Sequence, residues 1–360
     1  ERIYRLKVEP DTAESLQEVI EAYQNDPDVE YAELNYKVRA CLEPNDPNYP
    51  IQWALANTGQ MYPASGTYNS PPGTYDCDID ANEAWEISTG SSDITIAVVD
   101  TGVDYNHRDI ADNIWFNESE LNGAAGVDDD ENGYIDDIYG YDFINDDGDP
   151  IDDHGHGTHC GGIIAADGNN GLDITGLCWD SKIMSLKFLS SGGSGDTADA
   201  IEAFYYAVAA GADVVSNSWG GGGYTQYMQE AIDYAYSQGV IMVAAAGNDY
   251  SNMPVYPANY EHMFSVAATN SNDEKPAFSN YGDWVDIAAP GVDILSLRAA
   301  GTSLGTTYGN YKTIASGTSM ACPHVAGACA LLLSVNPALT SDDATNILKD
   351  TVDPIAPGVC

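Results

Sequence analysis

Basic residues are scarce in this sequence. Its 360 residues include 12 Lys and Arg against 56 Asp and Glu, which gives a formal net charge of −44. Phosphate groups are bound by clustered cations, so this balance argues against nucleic acid as a partner and disfavours an anionic membrane surface. Hydrophobic residues make up 44% of the chain, enough for a sizeable core, and the length predicts one large domain or two unequal ones.

A long apolar run, an N-terminal Met and a signal peptide are also missing. No run reaches the ~18 apolar residues of a membrane-spanning helix, so we expect no membrane partner, and a chain that has been processed or trimmed. None of the seven cysteines forms a C-x-x-C pair, which argues against a zinc site. One or two disulfides would suit a secreted protein, and the odd number leaves at least one thiol free or paired between chains. The sequence does not determine which cysteines would pair. It excludes only a bridge between Cys322 and Cys329, because both lie on one predicted helix.

The first 41 residues differ from the rest. Residues 3–8 and 29–38 alternate like strands, and residues 11–23 carry apolar residues at helical spacing with Asp11 as a candidate cap. Residues 42–80 are rich in Pro, Gly, Asn and Tyr without periodicity, which predicts an extended linker and N-terminal arm, and residues 81–360 form the main domain. The strand–helix–strand unit 1–41 holds five of the twelve cations: Arg2, Arg5, Lys7, Lys37 and Arg39.

Short apolar runs alternate with amphipathic helices in the main domain. Continuous apolar strands between helices predict an α/β fold with a mostly parallel sheet covered by helices on both faces. Functional residues of such sheets lie at the carboxyl ends of strands, where Asp100, Ser218 and Asn248 stand here. The predicted strands are Ile94–Val99, Ile183–Leu189, Ala212–Val215, Val240–Ala245 and Phe264–Ala268, and the predicted helices lie near Asp196–Ala210 and Tyr227–Ser237.

Three polar clusters carry the groups that acyl transfer requires. Asp100 ends a buried strand, a histidine-rich run at residues 154–159 leads into a small-residue helix, and Ser319 sits at the mouth of another helix. A serine nucleophile needs a neutral imidazole to take its proton and a carboxylate to orient that imidazole. The oxyanion needs donors, which the Ser319 N–H and the Asn248 amide could supply.

Each cluster alone has a simpler interpretation. Asp100 could be a turn residue, the histidines could be metal ligands or surface residues, and Ser319 could cap its helix. Ala321 replaces the last glycine of a G-x-S-x-G elbow, which disfavours an α/β-hydrolase.

Taken together, in the order Asp, His, Asn, Ser, the clusters resemble the subtilisin-like serine proteases (peptidase family S8) over residues 42–350. The resemblance implies a triad of Asp100, His156 and Ser319, with Asn248 as an oxyanion donor. His154 and His159 are then structural, and the related sedolisins fit badly. The matching stretches are Asp100-Thr101-Gly102, His156-Gly157-Thr158-His159, Ser218-Trp219-Gly220-Gly221, Ala245-Ala246-Gly247-Asn248, Tyr256-Pro257-Ala258 and Gly317-Thr318-Ser319-Met320-Ala321.

The same resemblance implies a substrate cleft. Ser218-Trp219-Gly220 and Gly193-Ser194-Gly195 would be extended edges that pair with a polypeptide backbone, as in strand addition. Ala245-Ala246-Gly247 would form one wall of the pocket for the residue before the scissile bond. Val255, which precedes a Tyr256–Pro257 bond expected to be cis, would lie near the pocket floor. No fixed charge is evident there, so we expect broad apolar preference.

A long acidic stretch that contains no Lys or Arg predicts calcium-binding sites. No Lys or Arg occurs between Arg108 and Lys182, and residues 128–153 hold twelve acids. A solvated acidic surface is the alternative. Residues 128–136 match the first nine positions of a twelve-residue calcium-binding loop, but Tyr139 stands at position 12, where such loops have a bidentate Glu. The loop ligands would be Asp128, Asp130, Asn132, Tyr134 and Asp136, with Asp137 compensating.

Two further sets match family calcium sites. One set is similar to a medium-strength site of thermitase-like members, and the other matches the strong site of the family. Hard oxygen ligands favour calcium over zinc, and we expect two or three calcium ions. The first set is Asp142, Asn145, Asp147 and Asp149; the second is Asp46, Asp109, Asp167 and Asn170 with the carbonyls of Asp167, Leu172 and Ile174.

Residues 1–41 resemble the second half of a subtilisin-type propeptide. The resemblance implies an intramolecular inhibitor whose tail, residues 36–41, lies along the substrate edges and is cleaved between Val38 and Glu43. The alternative is an ordinary N-terminal subdomain. We therefore predict a secreted, monomeric, calcium-dependent serine endopeptidase. A catalytically silent calcium-binding or adhesive module and an esterase with the same triad are the rival functions.

Overall fold

The computed structural model describes residues 13–33, 42–64 and 70–353, with side chains from residue 19 onward. The chain divides into two compact units, Glu1–Cys41 and Leu42–Cys360. In the first unit, helix α1 spans Ala13–Gln24, which confirms the predicted helix. The strand expected over residues 29–38 is wrong for 29–33, because Val29 N donates to Asp26 O and the Gln24 side chain donates to Ala32 O. Residues 34–38, the predicted strand at 3–8 and Asp11 lie outside the described residues.

A seven-stranded parallel sheet forms the centre of the second unit. Its strand order is β2-β3-β1-β4-β5-β6-β7, and every neighbouring pair is parallel. All five predicted strands are present, which confirms the expected fold class. Strands β2 and β7 were not predicted, because they are only three and four residues long. The strands are β1 Thr95–Asp100, β2 Gly140–Asp142, β3 Lys182–Lys187, β4 Val214–Asn217, β5 Ile241–Ala245, β6 Met263–Thr269 and β7 Ile287–Pro290.

Helices cover both faces of this sheet. Side chains alternate along a strand, so in β1 Ile96 and Val98 join the core with α4 and α7, while Ala97 and Val99 join the core with α5 and α6. The predicted helices at 196–210 and 227–237 are confirmed as α5 and α6. The helices are α2 Ala81–Trp85, α3 Glu118–Leu121, α4 His156–Ala165, α5 Thr197–Ala209, α6 Gln226–Ser237, α7 Thr318–Val335 and α8 Ser341–Thr351.

A second, antiparallel sheet and the arm after residue 42 complete the unit. The sheet has the order β8-β10-β9 and consists of Ile294–Leu297, Lys312–Ala315 and Thr306–Tyr308 in that order. Trp53 is buried, and its indole N–H donates to Val292 O.

Helix α7 and the cysteines correct two expectations. Helix α7 has a mean hydropathy of 1.5 over 18 residues and is long and apolar enough to span a membrane, contrary to the expectation that no segment reaches this length. It is 72% buried inside the protein, as the core helix of a folded domain is. The described cysteines are all free, so the expected disulfides do not occur among them, and Cys41 and Cys360 lie outside the described residues. The free cysteines are Cys77, Cys160, Cys178, Cys322 and Cys329.

Candidate active site

A carboxylate–imidazole pair lies at the carboxyl end of the sheet. Asp100 is the last residue of β1 and is fully buried, and His156 is the first residue of α4. His156 Nδ1 lies 2.8 and 2.9 Å from the two Asp100 carboxylate oxygens. Burial opposes protonation of His156, but the charge and hydrogen bond of Asp100 outweigh it and raise the pKa of His156 above its ordinary value. The chain leaves β1 through Gly102 (φ 96°), where a Cβ would lie 2.4 Å from Pro150 O, so only glycine fits this turn.

Asp152 joins the Asp100 turn to the start of the histidine helix. Its Oδ1 accepts from Thr101 Oγ1 at 2.9 Å and from Gly155 N at 2.7 Å, and its Oδ2 accepts from Thr158 N at 2.9 Å. Thr101 Oγ1 in turn accepts from Gly157 N at 2.9 Å. This buried carboxylate fixes α4 relative to β1 and thereby holds the pair together. Asp152 was not predicted from the sequence, because it lies three residues before the N-cap Gly155 and therefore outside the usual capping position.

Ser319 is the second residue of α7. Its hydroxyl donates to Ser218 O at 2.9 Å, and among the described contacts no hydrogen bond joins it to His156. Cys160, one turn after His156 on α4, donates to Ser319 O at 3.4 Å, so the serine and the histidine helix are neighbours. Catalytic hydrogen bonds are often long before substrate binds and tighten in the complex. The structure therefore brings Asp100, His156 and Ser319 to one place at the edge of the sheet.

The Asn248 amide is fixed in one orientation. Its Oδ1 accepts from Thr318 N at 2.8 Å and from Thr318 Oγ1 at 3.1 Å, which leaves Nδ2 as the outward donor. Thr318 is fully buried, and its Oγ1 also accepts from Gly247 N at 3.0 Å. Ser319 N lies in the first turn of α7, where backbone N–H groups have no intrahelical acceptor. Thr318, which the sequence analysis did not single out, thus orients the amide beside the serine.

The predicted substrate edges follow adjacent strands. Residues 218–220 follow β4, and residues 245–247 lie at the end of β5, the parallel neighbour of β4. Val255 lies between these two segments. Gly193-Ser194-Gly195 forms part of a turn after β3, in which Ser194 O already accepts from Ser190 N at 2.9 Å. The Tyr256–Pro257 bond is cis, as expected.

The two neighbouring histidines have different surroundings. His159 is fully buried, its Nε2 lies 3.2 Å from Ile294 O, and burial lowers its pKa to about 3. His154 is half-buried and packs against Gly193. Neither contacts the Asp100 carboxylate in the described hydrogen bonds, so His156 is the histidine that pairs with Asp100.

Residues of the predicted strong calcium site converge from three parts of the chain. Asn170 Nδ2 donates to Asp109 Oδ1 at 3.0 Å and to Asp167 Oδ2 at 3.2 Å, while Asn170 N donates to Asp46 Oδ1 at 3.3 Å. Ile174 N donates to Asp109 Oδ2 at 3.0 Å. Burial raises the pKa of Asp109 to about 7 and also raises the pKa of Asp46 and Asp167. Among the described residues, none of these three carboxylates forms a salt bridge with Lys or Arg.

The acidic loop after α3 contains one carboxylate that the sequence analysis missed. Carboxylate oxygens of Glu120, Asp128 and Asp130 all lie within 4.8 Å of one another. Glu120 is buried, and its Oε1 accepts from Asp129 N at 2.6 Å. Its position on a separate short helix, eight residues before the loop, gave no signal in the loop motif.

The other predicted loop ligands have partners of their own. Asn132 Nδ2 donates to Asp130 Oδ2 at 3.2 Å and to Asp137 Oδ2 at 3.0 Å. Asp137 is fully buried and also accepts from Tyr206 at 2.5 Å, whereas Asp136 accepts from Gly126 N. Asp137 thus faces the loop, and Asp136 faces a backbone turn beside it.

The remaining predicted calcium ligands lie in one turn after β2. Asn145 Nδ2 donates to Asp142 Oδ2 at 2.7 Å, and Asp142 N donates to Asp147 O at 2.9 Å. Asp149 N donates to Asp147 Oδ1 at 3.0 Å, and Asp149 Oδ1 accepts from Tyr105. All four residues are local to this turn.

The family model of the subtilase family (Peptidase S8) matches residues 91–358. The chain belongs to this family. It is 39% identical over 320 residues to a thermophilic serine proteinase of Bacillus sp. (strain AK1), covering 89% of this chain and 67% of that protein. It is 38% identical over 278 residues to thermitase of Thermoactinomyces vulgaris, covering 77% of this chain and 87% of thermitase.

A solved structure of a cold adapted subtilisin-like serine proteinase matches with a TM-score of 0.59 at 28% identity, covering 83% of this chain and 90% of that one. The family and the fold class expected from the sequence are thereby confirmed, and the subtilase is a subtilisin-type serine endopeptidase.

Proposed function

We propose that this subtilase cleaves peptide bonds with Ser319 as nucleophile, His156 as general base and acid, and Asp100 as the group that orients His156. The observation that carries this assignment is the double contact of His156 Nδ1 with the buried Asp100 carboxylate. It directs the Nδ1 proton to Asp100 and leaves Nε2 as the acceptor. Ser319 Oγ attacks the carbonyl carbon and its proton moves to Nε2.

The second half of the reaction uses the same groups. His156 gives the proton to the leaving amine, the C–N bond breaks, and an acyl ester on Ser319 remains. Water then attacks the ester, again losing its proton to His156, and Ser319 is released. The Asn248 amide N–H and the Ser319 N–H stabilise both oxyanions, because they are oriented before charge develops.

A polypeptide is the proposed substrate. The segments 218–220 and 193–195 would pair with its backbone by strand addition, which gives affinity without demanding sequence. No charged side chain lies among the segments at the proposed pocket, which supports apolar residues before the scissile bond. The esterase alternative uses the same triad but would have no need of these edges.

Calcium is the proposed metal. All three candidate sets offer carboxylate and amide oxygens, and the set of Asp46, Asp109 and Asp167 adds backbone carbonyls; these are the ligands of a hard cation. Calcium would neutralise the buried carboxylates of Asp46 and Asp109 and the half-buried one of Asp167 and stabilise the fold, and it takes no part in the proton transfers. Glu120 joins the proposed ligands of the Asp128 loop.

Secretion, a monomeric state and an inhibitory N-terminal unit complete the proposal. Oxygen sites in surface loops suit the calcium concentrations of extracellular modules, about 10⁻⁴–10⁻³ M. Residues 1–41 hold five of the twelve cations and ten acids, and two of these cations, Lys37 and Arg39, lie in the acid-free tail at residues 36–41, which a strongly acidic partner would attract. N-terminal sequencing should find cleavage between residues 38 and 43 in the wild-type chain and none in Ser319→Ala. Cleavage in both would exclude autoprocessing.

The experiment that tests the catalytic assignment is labelling with a fluorophosphonate, followed by digestion of an unstructured protein. We expect the label on Ser319, and loss of both label and proteolysis in Ser319→Ala, on the order of 10⁶-fold for a subtilisin nucleophile. A catalytically silent module would take no label. Labelling and ester hydrolysis without proteolysis would favour the esterase.

A further inference from the structure

The carbonyl of the proposed nucleophile lacks its regular helical partner. Ser319 is the second residue of α7, and a regular α-helix joins such a carbonyl to the backbone N–H four residues later. That position is Pro323, which has no N–H, and a proline ring inside a helix also crowds the carbonyl four residues before it. The Ser319 carbonyl can therefore accept hydrogen bonds from groups outside α7.

Two side chains from different elements donate to this carbonyl. Ser218 Oγ, directly after β4, donates to Ser319 O at 2.9 Å, and Cys160 Sγ, on α4, donates to it at 3.4 Å. Both residues are buried. Burial raises the pKa of the Cys160 thiol well above its ordinary value, which keeps the thiol protonated and therefore a donor. One backbone oxygen thus connects α7 to the end of β4 and to α4.

These two bonds connect the parts of the proposed catalytic site. Cys160 lies one turn after His156 on α4, so its bond fixes the nucleophile relative to the histidine helix. Ser218 begins the segment 218–220 that is proposed to pair with substrate, so its bond fixes the nucleophile relative to that edge. Such positioning matters for the rate, because a displacement of about 1 Å can cost about 10²-fold.

The bond from Ser218 Oγ also persists when the nucleophile has to move. Ser319 Oγ donates to Ser218 O at 2.9 Å, so the two residues are joined by two hydrogen bonds in opposite directions. Proton transfer to His156 requires the Ser319 hydroxyl to turn away from Ser218 O. The bond from Ser218 Oγ to Ser319 O does not involve that hydroxyl, so it can hold the main chain of Ser319 while the side chain turns.

We propose that Ser218 and Cys160 are positioning residues of the reaction, because their side chains hold the Ser319 carbonyl that Pro323 leaves without a helical donor. The inference rests on the proposed function and adds two side chains to it. In this role neither side chain touches substrate or exchanges a proton. Both act through the main chain of Ser319, so they contribute to the rate of acylation and not to substrate affinity.

The first test measures the reactivity of Ser319 in single variants of the full chain with saturating calcium. The readouts are the rate constant of inactivation by a fluorophosphonate and the kinetics on succinyl-Ala-Ala-Pro-Ala-p-nitroanilide. Ser218→Ala should lower the inactivation rate and kcat together by roughly 2- to 13-fold, the equivalent of one hydrogen bond, with little change in KM. Cys160→Ala should have a smaller effect in the same direction, because a thiol is a weak donor, and Cys160→Ser should retain the rate.

Two buried residues provide matched controls. Cys178 Sγ donates to Gly327 O at 3.2 Å, which is a bond to the same helix α7 two turns beyond the nucleophile. Ser216 lies on β4, and its hydroxyl contacts Cys322 Sγ on α7 at 3.7 Å. Cys178→Ala and Ser216→Ala should therefore lower Tm, measured in a Ser319→Ala background, without lowering the inactivation rate. An equal loss of rate in test and control variants of equal Tm would mean that α7 is merely loosened, and would overturn the inference.

A double-mutant cycle with Pro323 tests the reason for the arrangement. Pro323→Ala supplies the helical N–H to Ser319 O, so the carbonyl no longer depends on the two side chains. Ser218→Ala should therefore cost less of the inactivation rate in the Pro323→Ala background than in the wild type. The same fold loss in both backgrounds would contradict the role given to the carbonyl.

The outcomes separate this inference from the proposed function. A wild-type enzyme that is labelled and cleaves peptides, with folded Ser218→Ala and Cys160→Ala variants that react as fast, overturns the positioning role and leaves the protease assignment intact. If Ser218→Ala does not fold, Cys160→Ala and Cys160→Ser decide in the same way. Absence of both labelling and hydrolysis in the wild type overturns the proposed function and the inference with it.

Discussion

Replacing Thr318 by valine should weaken catalysis and stability through two separate hydrogen bonds. Thr318 Oγ1 donates to Asn248 Oδ1 at 3.1 Å and accepts from Gly247 N at 3.0 Å. Valine keeps the shape of threonine and removes both bonds. The first orients the proposed oxyanion donor, and the second satisfies a backbone N–H.

The size of each effect follows from the partners that remain. Asn248 Oδ1 keeps the bond from Thr318 N at 2.8 Å, so its amide is loosened and not released. Loss of one such bond costs about 0.5–1.5 kcal/mol, which lowers kcat roughly 2- to 13-fold. This is less than the ~10²–10³-fold lost on removing the equivalent donor in subtilisin, a member of the same family. The unpaired Gly247 N–H costs a further ~1–3 kcal/mol of folding free energy.

The first assay is the steady-state kinetics of Thr318→Val on the substrate succinyl-Ala-Ala-Pro-Ala-p-nitroanilide. The second is a thermal melt of each variant in a Ser319→Ala background, which prevents autolysis. We expect kcat to fall with little change in KM, because the oxyanion donor acts on the transition state. Thr318→Ser keeps the hydroxyl and should retain kcat. A lowered Tm with unchanged kcat in Thr318→Val would refute the orienting role.

Four further predictions concern the proposed triad, a buried cation and calcium. Asp100→Asn should lower kcat by about 10⁴-fold, because the amide favours the wrong imidazole tautomer. The wild-type kcat/KM should fall as the pH drops through the raised pKa of His156, with a midpoint above 6.5, and a midpoint below it would contradict the Asp100 contact. Lys187→Met leaves the carbonyls of Thr101 and Leu189 unpaired and should lower the free energy of unfolding by about 1–3 kcal/mol for each of them. Urea unfolding in the Ser319→Ala background measures this loss. Asp153→Asn, which changes the exposed partner of Lys187, is the control and should have a smaller effect. Chelation should lower Tm, more at low salt than at high salt, and an unchanged Tm in excess chelator would remove the calcium proposal.

The central sheet could be predicted because its strands carry a strong local signal. The run Ile96–Val99 is buried on both faces, so it contains no polar residue, and a helix must follow before the next parallel strand. Strand β9, Thr306–Tyr308, lacks this signal because its three residues are not buried. It pairs with β10 through backbone groups, which any sequence supplies.

The residues of the proposed triad could be predicted because each stands in a local sequence motif. The residues that hold them in place could not be predicted, because their role depends on partners far away in the sequence. Ser319 and His156 stand in motifs whose order is specific. Asp152 and Thr318 act through hydrogen bonds to residues 51 and 70 positions away, and their motifs do not state these partners. Twelve acids within residues 128–153 look alike in the sequence, and only the folded chain distinguishes buried Asp152 from its exposed neighbour Asp153.

The distribution of cations supports the proposal that ions from solution stabilise the fold. The ammonium group of Lys187 is buried and donates to Thr101 O, Leu189 O and Asp153 Oδ1, each at 2.8 Å, which links β3 to the Asp100 turn. Lys312 is buried against Asp173 in the loop of the proposed strong calcium site. The seven cations of residues 42–353 contact a carboxylate, a backbone carbonyl or, for Lys275, an aromatic ring: Arg108, Lys182, Lys187, Lys275, Arg298, Lys312 and Lys349.

Residues 42–353 hold 46 acids against these seven cations, so most carboxylates of that part of the chain have no cation to pair with. The carboxylates repel one another, and self-repulsion favours the expanded chain. Under the calcium proposal, solvent cations reduce this repulsion by specific binding at the oxygen clusters and by screening elsewhere. A chelated protein should consequently regain part of its lost Tm on addition of NaCl, whereas the calcium-loaded protein should respond less. An equal response of both forms would mean that the clusters contribute no more than the rest of the acidic surface.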